Sequence, residues 1–360
     1  MASASIAQAA DSLRVTVGVD THKYSHTGHA KDHLGRDLGY LEIAANAKGY
    51  AALAAWAGGF GTVAAFGIEG TSSYGAGLTR YLRGQGCTVV EVIRPSRQDR
   101  HLRGKSDPID AEAAAAAVLS GKARSVPKAG DDKVEMLRAL RVARRTATKA
   151  RTQAINAMKA LIVMAPDSLR QSLGGLSAAR LVTVCARFHS GDVASPTSAS
   201  KTALKSLATR HLALQAELRI LERHIDQLTS ETVPDLRRRF GVGPDSAAAL
   251  LVAAGCSPER LRSEASFSML CGSSPVPASS GQVKRHRLNR GGDRQANSAL
   301  HRIVMARLRW HPATKAYMAK RRLEGKSKAE VVRCLKRYVA REIYAVLTSG
   351  TPHQADPAAA

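Results

Sequence analysis

Aromatic residues are scarce in this chain. Phe, Trp and Tyr make up 4% of its 360 positions, so base stacking is not expected as its main binding mode, and phosphate contacts should carry more of the weight. Acids are few as well, 29 against 54 Lys and Arg, leaving a formal charge of +25 and a sequence pI near 10.4. That excess is beyond what solubility needs and points to a polyanionic partner. No run of 18 apolar residues occurs, and the opening MASASIAQAADSLR lacks a signal-peptide apolar stretch. A membrane surface is therefore the weaker polyanion and nucleic acid the stronger. The five cysteines (Cys87, Cys185, Cys256, Cys271, Cys334) are odd in number, widely spaced and without a CxxC pair. They speak against a disulfide framework or zinc site and for a reducing cytosol.

What is present starts with strands that end on acids. After a short leader (1–13), the β-rich run RVTVGV (Arg14–Val19) stops at Asp20, and TVAAFGI (Thr62–Ile68) stops at Glu69. Further strands are expected at about 25–31, 38–43 and 88–93, with helices at about 50–56 and 74–85. The order β-β-β-α-β-α-β-α predicts three antiparallel strands followed by parallel additions. A last helix opens at GKSDPIDAE, with Ser106 as N-cap, Pro108 in the first turn, and Asp107 and Asp110 three residues apart on one side. Two carboxylates so placed either favour the helix dipole or share a hard, oxygen-seeking cation. In open α/β sheets ligands gather beyond the carboxyl ends of strands. Asp20 and Glu69 can therefore meet Asp107 and Asp110, and four such acids can hold two Mg²⁺ ions (or Mn²⁺) as a clamp on a phosphodiester. Asp99 and Glu112 are nearby acids read as structural.

Residues 123–236 read as a helical spacer. In the first long helix Leu140, Ala147, Ala154 and Leu161 recur every seven residues. In the second, Leu204, Leu207, His211, Leu214, Leu218, Leu221, Ile225 and Leu228 alternate 3-4 as a coiled-coil seam. The two form an antiparallel hairpin, or share the seam with another protomer. Residues 165–200 between them are expected as turns and short helices.

Residues 237–348 read as a basic, mostly helical domain. Phe240-Gly241-Val242-Gly243-Pro244 before a helix resembles a helix-hairpin-helix turn, whose glycines let backbone N–H groups approach a phosphate. Between Gly281 and Glu342, 18 Lys and Arg face 4 acids, a surplus of 18 − 4 = +14. Lys284, Arg285, Arg287, Arg290 and Arg294, with Arg333, Lys336 and Arg337 further on, are the candidate phosphate contacts. The Ser279-Ser280-Gly281 turn beside this cluster is either a flexible turn or the home of a nucleophilic serine. The tail, 349–360, is expected to be disordered.

GVDTHK (Gly18–Lys23), GIEGTSSYG (Gly67–Gly75) and GKSDPIDAEA (Gly104–Ala113) resemble the acidic D-E-D-D motifs of transposases of the insertion sequence 110 family, relatives of the Piv DNA invertases. The SSG turn with RGGDRQANSALHR resembles the C-terminal domain of the same family. Leu288-Asn289-Arg290 departs from the common Ile-Ser/Thr-Lys while keeping the charge. The resemblance implies a RuvC-like, ribonuclease-H-type domain over 14–122, with Asp20, Glu69, Asp107 and Asp110 as the metal set. It also implies a serine nucleophile, Ser280 or failing that Ser279. Donor and target DNA, a non-coding bridge RNA, and assembly into dimers or tetramers in the bacterial cytoplasm and nucleoid follow from it too. The alternative is a RuvC-like junction nuclease in which water attacks.

Overall fold

The computed structural model describes residues 13–92, 106–128, 133–189, 191–255, 261, 263–280 and 286–349. They fall into two compact units, Met1–Asp132 with Gly255–Arg260, and Lys133–Ala254 with Leu261–Ala360.

The first unit is a five-stranded sheet with helices on both faces. Strands β1 (Arg14–Thr21), β2 (Ser25–Asp32), β3 (Asp37–Ala44), β4 (Thr62–Glu69) and β5 (Val89–Val92) lie in the order β3-β2-β1-β4-β5. The first three pair antiparallel, and β4 and β5 add in parallel, as the order of elements predicts. Alternation along the strands sorts the two faces. Val15, Val17 and Val19 of β1 and Phe66 and Ile68 of β4 form one apolar cluster with Leu53 and Ala57 of helix α1 (Ala47–Gly58) and with Leu78 and Leu82 of α2 (Ala76–Gly84). Gly18 and Gly67 turn to the opposite face, beneath helix α3 (Asp107–Leu119), whose Ala111, Ala114 and Ala115 are buried. A Cβ on Gly18 would lie 2.1 Å from the Ala111 carbonyl oxygen, and one on Gly67 would lie 2.5 Å from Val118 Cγ2. Missing side chains on the strands and alanines on the helix thus allow backbone-to-backbone approach. Ser106 stands at the N-cap with extended backbone, but its side chain makes no capping hydrogen bond.

The second unit is helical. Helices α4 (Lys133–Met164) and α7 (Pro196–Thr232) run antiparallel. Lys133 pairs with Glu231 at 2.9 Å and Arg144 with Glu222 at 2.8 Å, while Met158 and Ile162 pack with Leu204 and Ala208 near the other end. Of the 3-4 seam, Leu204, Leu218 and Ile225 are buried, and Leu207, His211, Leu214, Leu221 and Leu228 are half-buried. Short helices α5 (Asp167–Leu173) and α6 (Ala178–Ala186) cap one end through Leu169, Leu173, Leu181 and Cys185. At the other end Val134, Leu137 and Ile225 meet Ala248 and Leu251 of α9 (Pro244–Ala254), reached through the single turn α8 (Pro234–Arg237). Helices α10 (Glu264–Leu270), α11 (Arg294–Trp310), α12 (Pro312–Leu323) and α13 (Lys328–Thr348) complete the unit around Leu250, Phe267, Leu300, Ile303, Val331 and Val339. The two-residue strands β6 (Val276–Pro277) and β7 (His286–Arg287) pair antiparallel, and Ser279 and Ser280 follow β6. No helix among the described residues is long and apolar enough to cross a membrane.

Candidate metal centre and basic surface

The acidic site follows from strand alternation. Asp20 lies two residues beyond Gly18, and Glu69 two beyond Gly67, so both acids fall on the α3 face at the carboxyl ends of their strands. The parallel register pairs Val19 with Ile68, one residue before each acid. The Thr21 hydroxyl donates to the Glu69 carbonyl at 2.9 Å and ties the two strand ends together. Both carboxylates are buried, at 5% and 6% exposure. Helix α3 presents its first turn here, with Asp107 and Asp110.

Asp20, Asp107 and His22 each offer a ligand atom, and the three atoms lie within 4.8 Å of one another. His22 Nε2 is 3.2 Å from Asp20 Oδ2 and 3.3 Å from Asp107 Oδ1. Burial pushes the Asp20 carboxyl above its ordinary range. His22 pulls it back, Asp110 and Asp107 raise it further, and a hydrogen bond from the Thr21 backbone lowers it. A carboxylate made costly by burial and by two neighbouring acids is suited to a cation, and two carboxylates with an imidazole form a workable donor set for a divalent ion. Asp110 belongs to the same electrostatic neighbourhood. Glu69 shares the face and the sheet end.

His22 was missed by sequence reasoning, although its signal was present. In an extended Asp-Thr-His, residues i and i+2 share a face, so a histidine two places beyond a strand-end aspartate points where that aspartate points. Glu112 has a structural role, accepting from the buried Lys31 of β2 at 3.1 Å, which also pairs with Asp37. Asp99 lies outside the described residues.

In the second unit the predicted phosphate contacts have unequal surroundings. Ser279 and Ser280, which follow β6, are exposed. Arg287, Arg290 and Arg294 are exposed, and Lys284 and Arg285 lie outside the described residues. Arg337 is engaged within the fold, paired with Glu264, which Arg341 also reaches at 3.2 Å. Lys336 donates to Asn297 at 2.7 Å. Burial, with the Arg333 charge behind it, lowers the Lys336 pKa. Gly241 has φ +80°, and a Cβ there would meet the Ile303 carbonyl at 3.2 Å. A Cβ on Gly243 would meet nothing within 4 Å. The first turn of α9 after these glycines already holds an anion, Asp245, set among Arg141 (3.1 Å), Arg302 (2.7 Å) and Arg144 (3.5 Å).

Together these features define a mixed α/β protein with an acidic, cation-suited site in one unit and a strongly basic helical second unit. Residues 17–165 match the DEDD transposase family of IS110, and residues 234–319 match the transposase family IS116/IS110/IS902. The chain belongs to the IS110 family of transposases. It is similar to the 43.6 kDa protein of insertion element IS110 from Streptomyces coelicolor, 30% identical over 149 residues. That stretch covers 41% of this chain and 36% of the relative.

Proposed function

We propose that this chain is the DNA transposase of an insertion sequence, cutting and rejoining strands with a metal-dependent acidic site and a serine hydroxyl. The observation that carries the reading is the meeting of Asp20 and Asp107, 87 positions apart, around one imidazole. Asp20, Glu69, Asp107 and Asp110 would hold the cation, with oxygen donors suited to Mg²⁺ and Mn²⁺ tolerated. Bound there, it supplies positive charge to the phosphodiester under attack. The sheet order, with three antiparallel strands and two parallel additions, supports a RuvC-like, ribonuclease-H-type domain.

Ser280, with Ser279 as substitute, is the proposed nucleophile. Its oxygen forms a bond to phosphorus as the P–O3′ bond breaks, giving a phosphoserine link and a 3′-hydroxyl that takes up the proton. The exposed arginines nearby offer charge to the phosphate. Donor and target DNA are the substrates. The family resemblance supports a bridge RNA, and delegating sequence choice to base pairing suits a chain rich in charge and poor in aromatics. The half-buried positions of the α4–α7 hairpin support a coiled-coil surface for a dimer or tetramer. A cytoplasmic, nucleoid-associated location accords with this reading.

A RuvC-like junction nuclease using water is the second reading, favoured by an acidic cluster assembled within the first unit alone. Incubating the protein with its element-end DNA and Mg²⁺ separates the two. A covalent protein–DNA adduct absent from Ser280→Ala supports the transposase, whereas undiminished cleavage by that variant without any adduct supports the nuclease. Sequencing RNA that co-purifies with the protein tests the guide.

A further inference from the structure

A cavity of about 920 Å³ opens in the second unit between Gly272–Pro275, strand β7 with Leu288 and Asn289, and one side of α13. Its wall combines two chemistries. Arg287 and Arg333 supply cationic groups that form no salt bridge among the described residues. Glu330, an acid on the same wall, is already held by the Ser327 N–H at 2.8 Å and the Ser327 hydroxyl at 2.7 Å. Beside these cations stand Leu288, 58% exposed, and Tyr338, 49% exposed. Neither belongs to an apolar core of the unit. The Tyr338 ring is nonetheless fixed, edge-on to Tyr317 at 5.6 Å with Arg341 at 6.0 Å from its centroid.

A duplex engages unpaired cations through its backbone, but its bases are stacked and offer no π-face to a tyrosine in a recess. An unstacked nucleotide presents both a phosphate and an apolar face, and a cavity of this size falls within the range that encloses small ligands. We infer that this cavity receives an unpaired nucleotide, its base against Tyr338 and Leu288 and its phosphate against Arg333 and Arg287. This rests on the nucleic-acid reading above and adds a preference for single strands at a defined place.

The test is fluorescence anisotropy of the full-length protein with three labelled probes of equal length. These are a single-stranded DNA, a single strand made of abasic residues, and a blunt duplex. Tyr338→Ala is expected to lose about tenfold in affinity for the base-bearing single strand, and less than about twofold for the other two. Tyr338→Phe should keep the wild-type value, and Leu288→Ala should lose affinity in the same selective pattern. Leu288 is exposed, so its variant decides the matter if thermal melting shows Tyr338→Ala to be unfolded. Equal losses on all three probes, or none, overturn the inference while leaving the nucleic-acid reading intact. Failure of the wild-type protein to bind any probe removes both. An RNA copy of the single strand, bound more tightly with the same Tyr338 dependence, would identify RNA as the source of the nucleotide.

Discussion

His22 Nε2 sits between two carboxylates from separate elements, 3.2 Å from Asp20 on β1 and 3.3 Å from Asp107 on α3. An imidazole so placed can donate to the acids or, once they hold a cation, supply a nitrogen ligand. Nitrogen donors suit Mn²⁺ better than Mg²⁺. His22→Ala is therefore expected to weaken Mn²⁺ binding by about tenfold, read by electron paramagnetic resonance titration, with a smaller effect on Mg²⁺. Unchanged Mn²⁺ affinity would remove His22 from the ligand set.

Asp20 is a buried acid whose charged form is disfavoured by burial and by Asp110 and Asp107. A carboxyl with its folded pKa raised costs stability once the pH exceeds that value, because the unfolded chain ionises more readily. At neutral pH without divalent metal, Asp20→Asn should melt at a higher temperature than the wild type. Added Mg²⁺ should then stabilise the wild type by about 2.7 kcal/mol at a hundredfold excess over its Kd and leave the variant unmoved. A variant that melts lower without metal would mean that Asp20 is a structural group.

Gly18→Ala would place a methyl 2.1 Å from backbone atoms of Ala111 and Ala115. Helix α3 would have to lift from the sheet, at a cost of about 1–3 kcal/mol or more, carrying Asp107 away from Asp20. The expected outcome is lower thermal stability with a larger proportional loss of metal binding. Full metal affinity in Gly18→Ala would show that the close approach of helix and strand does not set the site.

These cases show which features could be read from residues alone. The strands were legible because their valines alternate and their ends carry acids, and the acids of the two G-x-D/E segments fall where that alternation puts them. Other features depend on packing across the chain. The helix α12 gave no signal of its own inside the Gly281–Glu342 stretch, which was read for its charge surplus, because its apolar contacts, Tyr317 and Met318, are sparse. Arg337 looked like any exposed cation of a basic helix, because its partner Glu264 is 73 residues away. His22 was overlooked because the Asp-Thr-His segment was read for its aspartate alone, although the i, i+2 spacing puts the histidine on the same face.

Asp245 offers a pH test in the second unit. Burial alone would raise its pKa, but Arg141, Arg302 and Arg144 together outweigh burial and hold it below the ordinary carboxylate range. Its contribution to stability is therefore present above the unfolded value, near 3.8, and is lost as pH falls through the lower folded value. Asp245→Asn leaves three arginines without their shared acid and should cost about 3 kcal/mol at neutral pH. The difference from wild type should shrink in acid, as followed by urea denaturation at several pH values. A difference that does not change with pH would assign the loss to packing and not to charge.

Arg287 and Arg337 should separate binding from folding. Arg287 is exposed and forms no salt bridge among the described residues, so Arg287→Ala should leave the fold alone and, on the proposed reading, remove one phosphate contact. Duplex affinity should fall about equally across sequences, and the log–log salt slope should become shallower by about 0.9. Arg337 is committed to Glu264, and Arg337→Ala leaves that carboxylate with Arg341 at its other oxygen. The expected result is a loss of about 1 kcal/mol in stability with the salt slope unchanged. Measuring both slopes by anisotropy, beside both melting temperatures, checks the assignment. Arg337→Ala with an unaltered melting point and a shallower slope would place Arg337 on the nucleic acid and not on α10.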